Sequence, residues 1–490
     1  MKLLLVNPYF GEATKHENEA ATHSPPLGLG FVGTYVNDHN DCDVEIVDPV
    51  PQGLAEAEVL DRVREADFVG IPAFTDIRFD CFDFAAKAKQ ANPDCTLVVG
   101  GPHAYSLSEK ILEHYPFIDV VVRGEGELTV SEIIEGKPLE DIRGITYQQN
   151  GRILRNDDRQ FMDDIDDLYI NYELLPDMEL YASDIETPVD IKKLKTVYLI
   201  ESRGCPFRCS YCANDHWKRQ FRAVSPRKTV GRMKHLVEKH GIEFFRFYDD
   251  LFTVNRHRVS EFCEEMKKEN LDVGFRVLAR VGTKKETLAM LQEVGLESVG
   301  IGIESGSDRM LKRVNKGITR QQIDRTIRDC KELGLWMVGS FIISLPGETG
   351  EDLAKTGELI SQPDVTTVNV LHLFPQTPVF EELKGNGEAD DEIWFDRNYP
   401  ETIHYCKEWF ASAPLSFEDA KWFSLKSKYL NTIRFPKRSL KQYGFIVTAI
   451  WYVTAPVDLL LKGRIYKIAF RYRNLYRKLA WGTQPEATRQ

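Results

Sequence analysis

Two successive series of short apolar runs, each run separated from the next by a helical pattern, dominate the sequence and leave few folds open to it. The first series occupies residues 3–7, 44–48, 68–72, 96–100 and 118–123, with helical patterns over 54–65 and 82–91. Runs that are apolar on both faces and spaced by helices predict a parallel, doubly wound sheet. Asn150-Gly151 marks a hairpin turn across 145–154. The second series starts at 196–201 and continues at 244–248, 274–277, 298–303, 337–344 and 367–373. Helical patterns over 227–239, 259–268, 284–293 and 320–333 fall between these runs. Six such units predict a partial (βα)6 barrel, whose chemistry sits at the carboxyl ends of the strands. The expected fold class is therefore α/β: a Rossmann-like domain over 1–150, an acidic linker over 151–195, the barrel over 196–385, and a C-terminal helical extension over 386–490.

Ligands of open α/β sheets bind beyond the carboxyl ends of the strands. Here those ends carry Asn7-Pro8-Tyr9-Phe10-Gly11, Ser24-Pro25-Pro26-Leu27-Gly28, Val99-Gly100-Gly101-Pro102-His103 and Arg123-Gly124-Glu125-Gly126-Glu127. A chain of 490 residues with net charge −12 is too acidic overall to suggest binding to bare nucleic acid. Nine cysteines in a chain of this length do not make a disulfide scaffold. The apolar start reads as a buried strand rather than a signal peptide, so a reducing cytoplasmic setting is expected.

Directly after the first barrel strand stands Cys205-Pro206-Phe207-Arg208-Cys209-Ser210-Tyr211-Cys212. Three cysteines on one tight loop suit an iron–sulfur cluster, because soft thiolates match iron. No fourth cysteine is near, which leaves one iron open to another ligand. A zinc site completed by His216 is the alternative. Cys42, Cys81, Cys95, Cys263, Cys330 and Cys406 lack ligand spacing and read as ordinary buried thiols.

The C-x3-C-x2-C spacing, with aromatic Tyr211 before the third cysteine and a barrel following, resembles the signature of radical S-adenosylmethionine (radical SAM) enzymes. The resemblance implies a [4Fe-4S] cluster on Cys205, Cys209 and Cys212. It also implies S-adenosylmethionine chelated to the open iron and cleaved to a 5′-deoxyadenosyl radical, with electrons from an external flavodoxin- or ferredoxin-type donor. It further assigns Asp249 and Asp250 to the S-adenosylmethionine ammonium, Arg280 to its carboxylate, and Glu304 with Ser305 to the ribose segment. Ile342-Ile343-Ser344-Leu345-Pro346-Gly347-Glu348-Thr349 is similar to the motif that packs against the adenine.

A Rossmann-like domain ahead of such a barrel resembles the cobalamin-binding radical SAM class. Its carriers are Pro25-Pro26-Leu27-Gly28-Leu29, Gly100-Gly101-Pro102-His103 and Gly124-Glu125-Gly126-Glu127. Gly100, Gly101, Gly124 and Glu125 then fall to cobalamin. The D-x-H-x-x-G motif that supplies a lower-face histidine elsewhere is missing; His16 and His23 are out of frame, and His103 is expected as a surface loop residue rather than a ligand. The class implies transfer of a methyl group from methylcobalamin to an unactivated carbon, and the basic, apolar tail described below suggests a small hydrophobic substrate, lipid-like or tetrapyrrole. Alternatives are an oxidative cyclase without methyl transfer, a tRNA methylthiotransferase, and a non-catalytic corrinoid or iron–sulfur carrier.

From Arg434 to Lys478 eleven basic residues face one acid, Asp458, which gives this stretch +10 and leaves −22 for the rest. Residues 443–455 are apolar but too short to span a bilayer. Residues 462–481 read as an amphipathic helix with a basic face, which suggests peripheral contact with the inner face of an anionic membrane. A helix packed on the acidic body is the alternative.

Overall fold

The computed structural model describes residues 1–9, 25–181, 194–214 and 220–397. The loop histidines His16 and His23, His216, Cys406 and the whole basic tail lie outside the described residues.

The first domain is a seven-stranded sheet of β1 Lys2–Val6, β2 Asp43–Val47, β3 Phe68–Pro72, β4 Thr96–Gly100, β5 Val120–Val122, β6 Ile145–Gln149 and β7 Arg152–Arg155. The strand order is β2-β1-β3-β4-β5-β6-β7, parallel through β5 and antiparallel over the closing hairpin. β1 shows why the apolar runs are unbroken. Leu4 and Val6 face one core with the helix Arg78–Ala91, whereas Leu3 and Leu5 face a second core with the helix Leu27–His39. A strand covered on both sides has no polar face to show.

The second domain is a six-stranded, all-parallel sheet with β8 Thr196–Leu199 at one edge. β11 Phe244–Phe247, β12 Gly274–Ala279, β13 Leu296–Glu304, β14 Trp336–Ile343 and β15 Val365–Val370 follow in sequence order. Between β8 and β11, a two-residue ribbon of β9 Ser202–Arg203 and β10 Arg222–Ala223 pairs antiparallel. The helices Pro226–His240, Arg256–Glu269, Lys285–Gln292, Arg320–Leu333 and Gly350–Leu359 connect the strands. The helix Arg320–Leu333 starts where Thr319 and Gln322 form a capping box and stops at left-handed Gly334. The α/β fold class with a Rossmann-like sheet and a partial barrel thus agrees with the sequence reading.

One hydrophobic core runs without interruption from Leu4 and Val69 in the first domain to Phe247, Ile301 and Trp394 in the second. The linker closes the other core, with Ile165, Leu168, Ile170 and Leu175 packed beside Leu3, Leu5 and Tyr198. Among the described residues no helix is long and apolar enough to cross a membrane.

Candidate active site

The cysteine loop leaves the barrel between β9 and β10, starting at left-handed Gly204. Segment 314–316 fastens it. Ser210 donates its amide to the Val314 carbonyl at 2.9 Å, and the Asn315 side-chain amide donates to the Arg208 carbonyl at 2.8 Å. The Arg280 guanidinium lies 3.6 Å from the Phe207 ring centre and donates to the Lys316 carbonyl. The Val379 amide donates to the Ser210 carbonyl at 3.1 Å from the far side. Arg280 therefore touches the cysteine loop through Phe207.

The three thiols of Cys205, Cys209 and Cys212 are half-buried on this loop. Burial raises the pKa of Cys205 and pushes Cys212 up to about 11, with the neighbouring thiols and Asp250 adding to it. A metal must displace those protons, because the thiolate is the ligand. Among the described residues no three His, Cys, Asp or Glu side chains are drawn together tightly enough to grip a metal ion in this conformation. The donor set itself is all sulfur on one loop, which fits an iron–sulfur cluster with one iron left open.

Around the loop the strand ends divide into two groups. Glu304 ends β13 at φ +66°, just after a break in the register with β14. Its carboxylate folds back over Gly302 and accepts from Lys316 Nζ at 2.7 Å. Lys316 also donates to the Tyr211 hydroxyl at 3.3 Å, so it links the cysteine loop to β13. A Cβ at Gly302 would run into the Glu304 carboxylate and lie 3.0 Å from Lys316 Nζ, so glycine leaves room for this pair. Ser305, by contrast, is fully buried and bonded to Thr356 and the Ser307 amide. It holds the turn rather than presenting a hydroxyl, which corrects its assignment to the ribose.

The adjacent aspartates also separate. Asp249 is fully buried and accepts from the Ser202 hydroxyl and the Glu201 amide. Burial raises its pKa, and nearby Arg258 opposes that. Facing inward, it is a structural carboxylate and not an ammonium acceptor. Asp250 is exposed and close enough to Cys205 and Cys212 to act on both electrostatically.

At the end of β14, Glu348 accepts from the Ser344 amide at 2.6 Å, with Ser344 in the left-handed region at φ +68°. Burial drives the Glu348 pKa up to about 8. The motif is thus closed by its own carboxyl group.

In the first domain the strand order places a topological switch between β1, which continues to β2, and β3. Phe74 stands at that edge with 46% of its surface exposed, unusual for so large an apolar side chain. Gly101 adopts φ +97°, and a Cβ there would lie 2.9 Å from the Ala73 carbonyl oxygen. Gly100 ends β4, and Gly124 turns at φ +85° after β5. An exposed ring bordered by glycine turns at a switch point fits a large planar ligand such as a corrin. His103 is not on the surface as expected. It is fully buried, 3.2 Å from the Thr75 hydroxyl, and burial, with Arg78 adding to it, lowers its pKa to about 3.

Glu125 requires a correction. Its oxygens accept from Arg203 at 2.8 Å, from Arg222 at 2.9 Å and 3.0 Å, and from the Met162 amide at 3.1 Å. The carboxylate is saturated by the second domain and the linker, and it is not available to a cofactor. The sequence reading passed over Lys316, Arg203 and Arg222. Their only local signal is a basic residue flanking a glycine or a short strand.

Comparison with known proteins accounts for this arrangement. The Radical SAM superfamily model matches residues 199–360, and the B12 binding domain model matches residues 18–134. The chain is 34% identical over 374 residues to an uncharacterised methyltransferase of Pyrococcus horikoshii, spanning 74% of this chain and 79% of that protein. It is 28% identical over 407 residues to the anaerobic magnesium-protoporphyrin IX monomethyl ester cyclase of Rubrivivax gelatinosus, spanning 80% of this chain and 71% of that protein. The structure of the radical S-adenosylmethionine methyltransferase TsrM from Kitasatospora setae, with cobalamin and a [4Fe-4S] cluster bound, superposes with a TM-score of 0.63 at 18% identity. That match covers 79% of this chain and 75% of TsrM. The chain belongs to the radical SAM superfamily, in the group that carries a B12-binding domain ahead of the barrel. It is an enzyme whose cofactors are S-adenosylmethionine, a [4Fe-4S] cluster and cobalamin.

Proposed function

We propose that this enzyme methylates an unactivated carbon of a hydrophobic, lipid-like or tetrapyrrole substrate. The observation that carries the reading is the joining of a cysteine loop to the carboxyl edge of a B12-type sheet in one continuous molecule, with a methyltransferase as a relative at 34% identity. Cys205, Cys209 and Cys212 would hold the cluster, Asp250 and Arg280 the amino-acid end of S-adenosylmethionine, and Glu304 its ribose. Gly100, Gly101 and Gly124, with Phe74, would receive the corrin. When bound, these groups supply a carbon-centred radical and a transferable methyl group; the protein supplies position and shelter.

The chain's own residues serve those two tasks. Asp250 is an exposed carboxylate whose charge reaches Cys205 and Cys212, which places it to meet a cation beside the loop. The Arg280 guanidinium, stacked on Phe207, presents donors to a carboxylate. Lys316 holds Glu304 and Tyr211 in fixed relation. The apolar strand walls exclude water from a reactive carbon.

Cyclisation without methyl transfer is the second reading, favoured by the cyclase relative at 28% identity. The reductant is proposed to be an external flavodoxin- or ferredoxin-type protein. The basic tail is proposed to rest on an anionic membrane surface at the cytoplasmic face, on the strength of its sequence pattern alone.

The test is anaerobic. The protein is reconstituted with iron, sulfide and cobalamin, then given reductant, S-adenosylmethionine and a host lipid and pigment extract. Methyl transfer predicts that 5′-deoxyadenosine and S-adenosylhomocysteine rise together. A rise in 5′-deoxyadenosine alone overturns methylation in favour of cyclisation.

A further inference from the structure

The cysteine loop has two feet, and both are tied to the first domain. Arg203 on β9 and Arg222 on β10 are direct partners in the ribbon from which the loop emerges. Both guanidiniums reach across to the loop that follows β5. Arg203 donates to Glu125 at 2.8 Å and to Glu127 through its other nitrogen. Arg222 donates to Glu125 at 2.9 Å and to the Met162 carbonyl at 2.7 Å. The ring of Phe31 underlies Arg203 at 4.9 Å, and Phe161 underlies Arg222 at 4.8 Å. All four charged side chains are less than 10% exposed.

Two buried cations facing two buried anions are neutral as a set. Such a set adds little net stability compared with apolar side chains of the same volume, because desolvation offsets the attraction. What it imposes is geometry, since a planar guanidinium shared between two carboxylates tolerates little rotation or sliding. Cohesion between the domains has other sources. The core is continuous across them, and on another side Arg397 pairs with Asp83, His114 stacks on Phe395 at 4.0 Å, and Gln376 donates to the Ser106 carbonyl at 2.8 Å. Losing the clamp therefore leaves the domains joined but releases their alignment at the feet of the cysteine loop.

We infer that Arg203, Arg222, Glu125 and Glu127 form a clamp that sets the spacing and orientation of the iron–sulfur loop relative to the corrin edge of the first domain. These are positioning residues; none touches a reacting atom. The inference rests on the two-cofactor reading above for its purpose, but the clamp acts on the loop whether or not the cofactors are present.

The test uses the full chain and the variants Glu127→Gln and Arg203→Lys. Glu132→Gln serves as the control, because Glu132 pairs with Arg159 inside the first domain and linker without reaching the barrel. In the cofactor-free protein, hydrogen exchange is read at the Ser210 and Cys212 amides, which are hydrogen-bonded in the loop. The clamp predicts exchange about tenfold faster in Glu127→Gln and Arg203→Lys, and unchanged in Glu132→Gln. In the reconstituted protein, the magnetic broadening that the reduced cluster imposes on cob(II)alamin is read by low-temperature electron paramagnetic resonance. It is expected to change in both clamp variants and to persist in the control, with 5′-deoxyadenosine formation by Glu127→Gln within about twofold of wild type. Wild-type exchange rates in Glu127→Gln and Arg203→Lys, or an equal effect in Glu132→Gln, would overturn the clamp. A wild-type protein that binds no cobalamin overturns the two-cofactor reading instead, and the exchange measurement still decides the clamp.

Discussion

Replacing Lys316 by Met removes one half of a buried pair while keeping most of the side-chain volume. Lys316 Nζ sits 2.7 Å from Glu304 Oε1, and the two side chains are only 10% and 9% exposed. Breaking a buried pair from one side costs about 3–5 kcal/mol, because the remaining charge is stranded. The residual exposure lets water reach Glu304, so the lower end, about 3 kcal/mol, is expected. Glu304 also sits at φ +66°, a strained conformation for a non-glycine residue that relies on its surroundings. Adding Glu304→Gln removes the stranded charge, so the double variant should be more stable than the sum of the single losses by about 1.5 kcal/mol or more. Urea unfolding followed by tryptophan fluorescence under anaerobic conditions measures all four proteins. A cost below about 1 kcal/mol for Lys316→Met, or strict additivity in the double variant, would refute the reasoning.

Glu348, with its pKa raised to about 8, binds its proton more tightly in the folded protein than in the unfolded chain. Its contribution to stability is therefore full below pH 4.5 and is lost as pH rises toward 8; Glu348→Gln should flatten this slope in thermal unfolding, and an unchanged slope would contradict it. Gly101→Ala puts a methyl group 2.9 Å from the Ala73 carbonyl oxygen at φ +97° and should cost about 2–3 kcal/mol, read as a lowered urea midpoint. The two aspartates should behave differently. Asp249→Ala destabilises the fold by about 2 kcal/mol or more, whereas Asp250→Ala, at an exposed position, lowers the urea midpoint less and weakens S-adenosylmethionine binding measured by calorimetry.

Where local pattern carries the information, the sequence shows the fold. The helix Arg320–Leu333 is bounded by the side chains that cap it, and β3 and β4 coincide with their apolar runs. The shorter β5 is not legible to the residue, because 118–123 stays apolar beyond the paired Val120–Val122. The ribbon of β9 and β10 carries no periodic signal, since each strand has two residues. The cysteine loop is legible because its ligands are close in sequence. Its supports are not: Lys316 lies 105 residues from Tyr211, and Arg222 lies 97 residues from Glu125. Neighbouring identical residues defeat the sequence for another reason. Nothing in Asp249-Asp250 says which carboxylate turns inward, because that depends on where Ser202 and the Glu201 amide stand.

Reductive cleavage of S-adenosylmethionine by the reconstituted wild-type protein, set beside Cys209→Ala prepared in the same way, tests the central claim most directly. Liquid chromatography with mass detection quantifies 5′-deoxyadenosine. The account predicts formation that depends on reductant in the wild type and none above background in Cys209→Ala, with cobalamin still bound to both. Equal amounts from the two proteins, or none from a wild type with a fully assembled cluster, would contradict it.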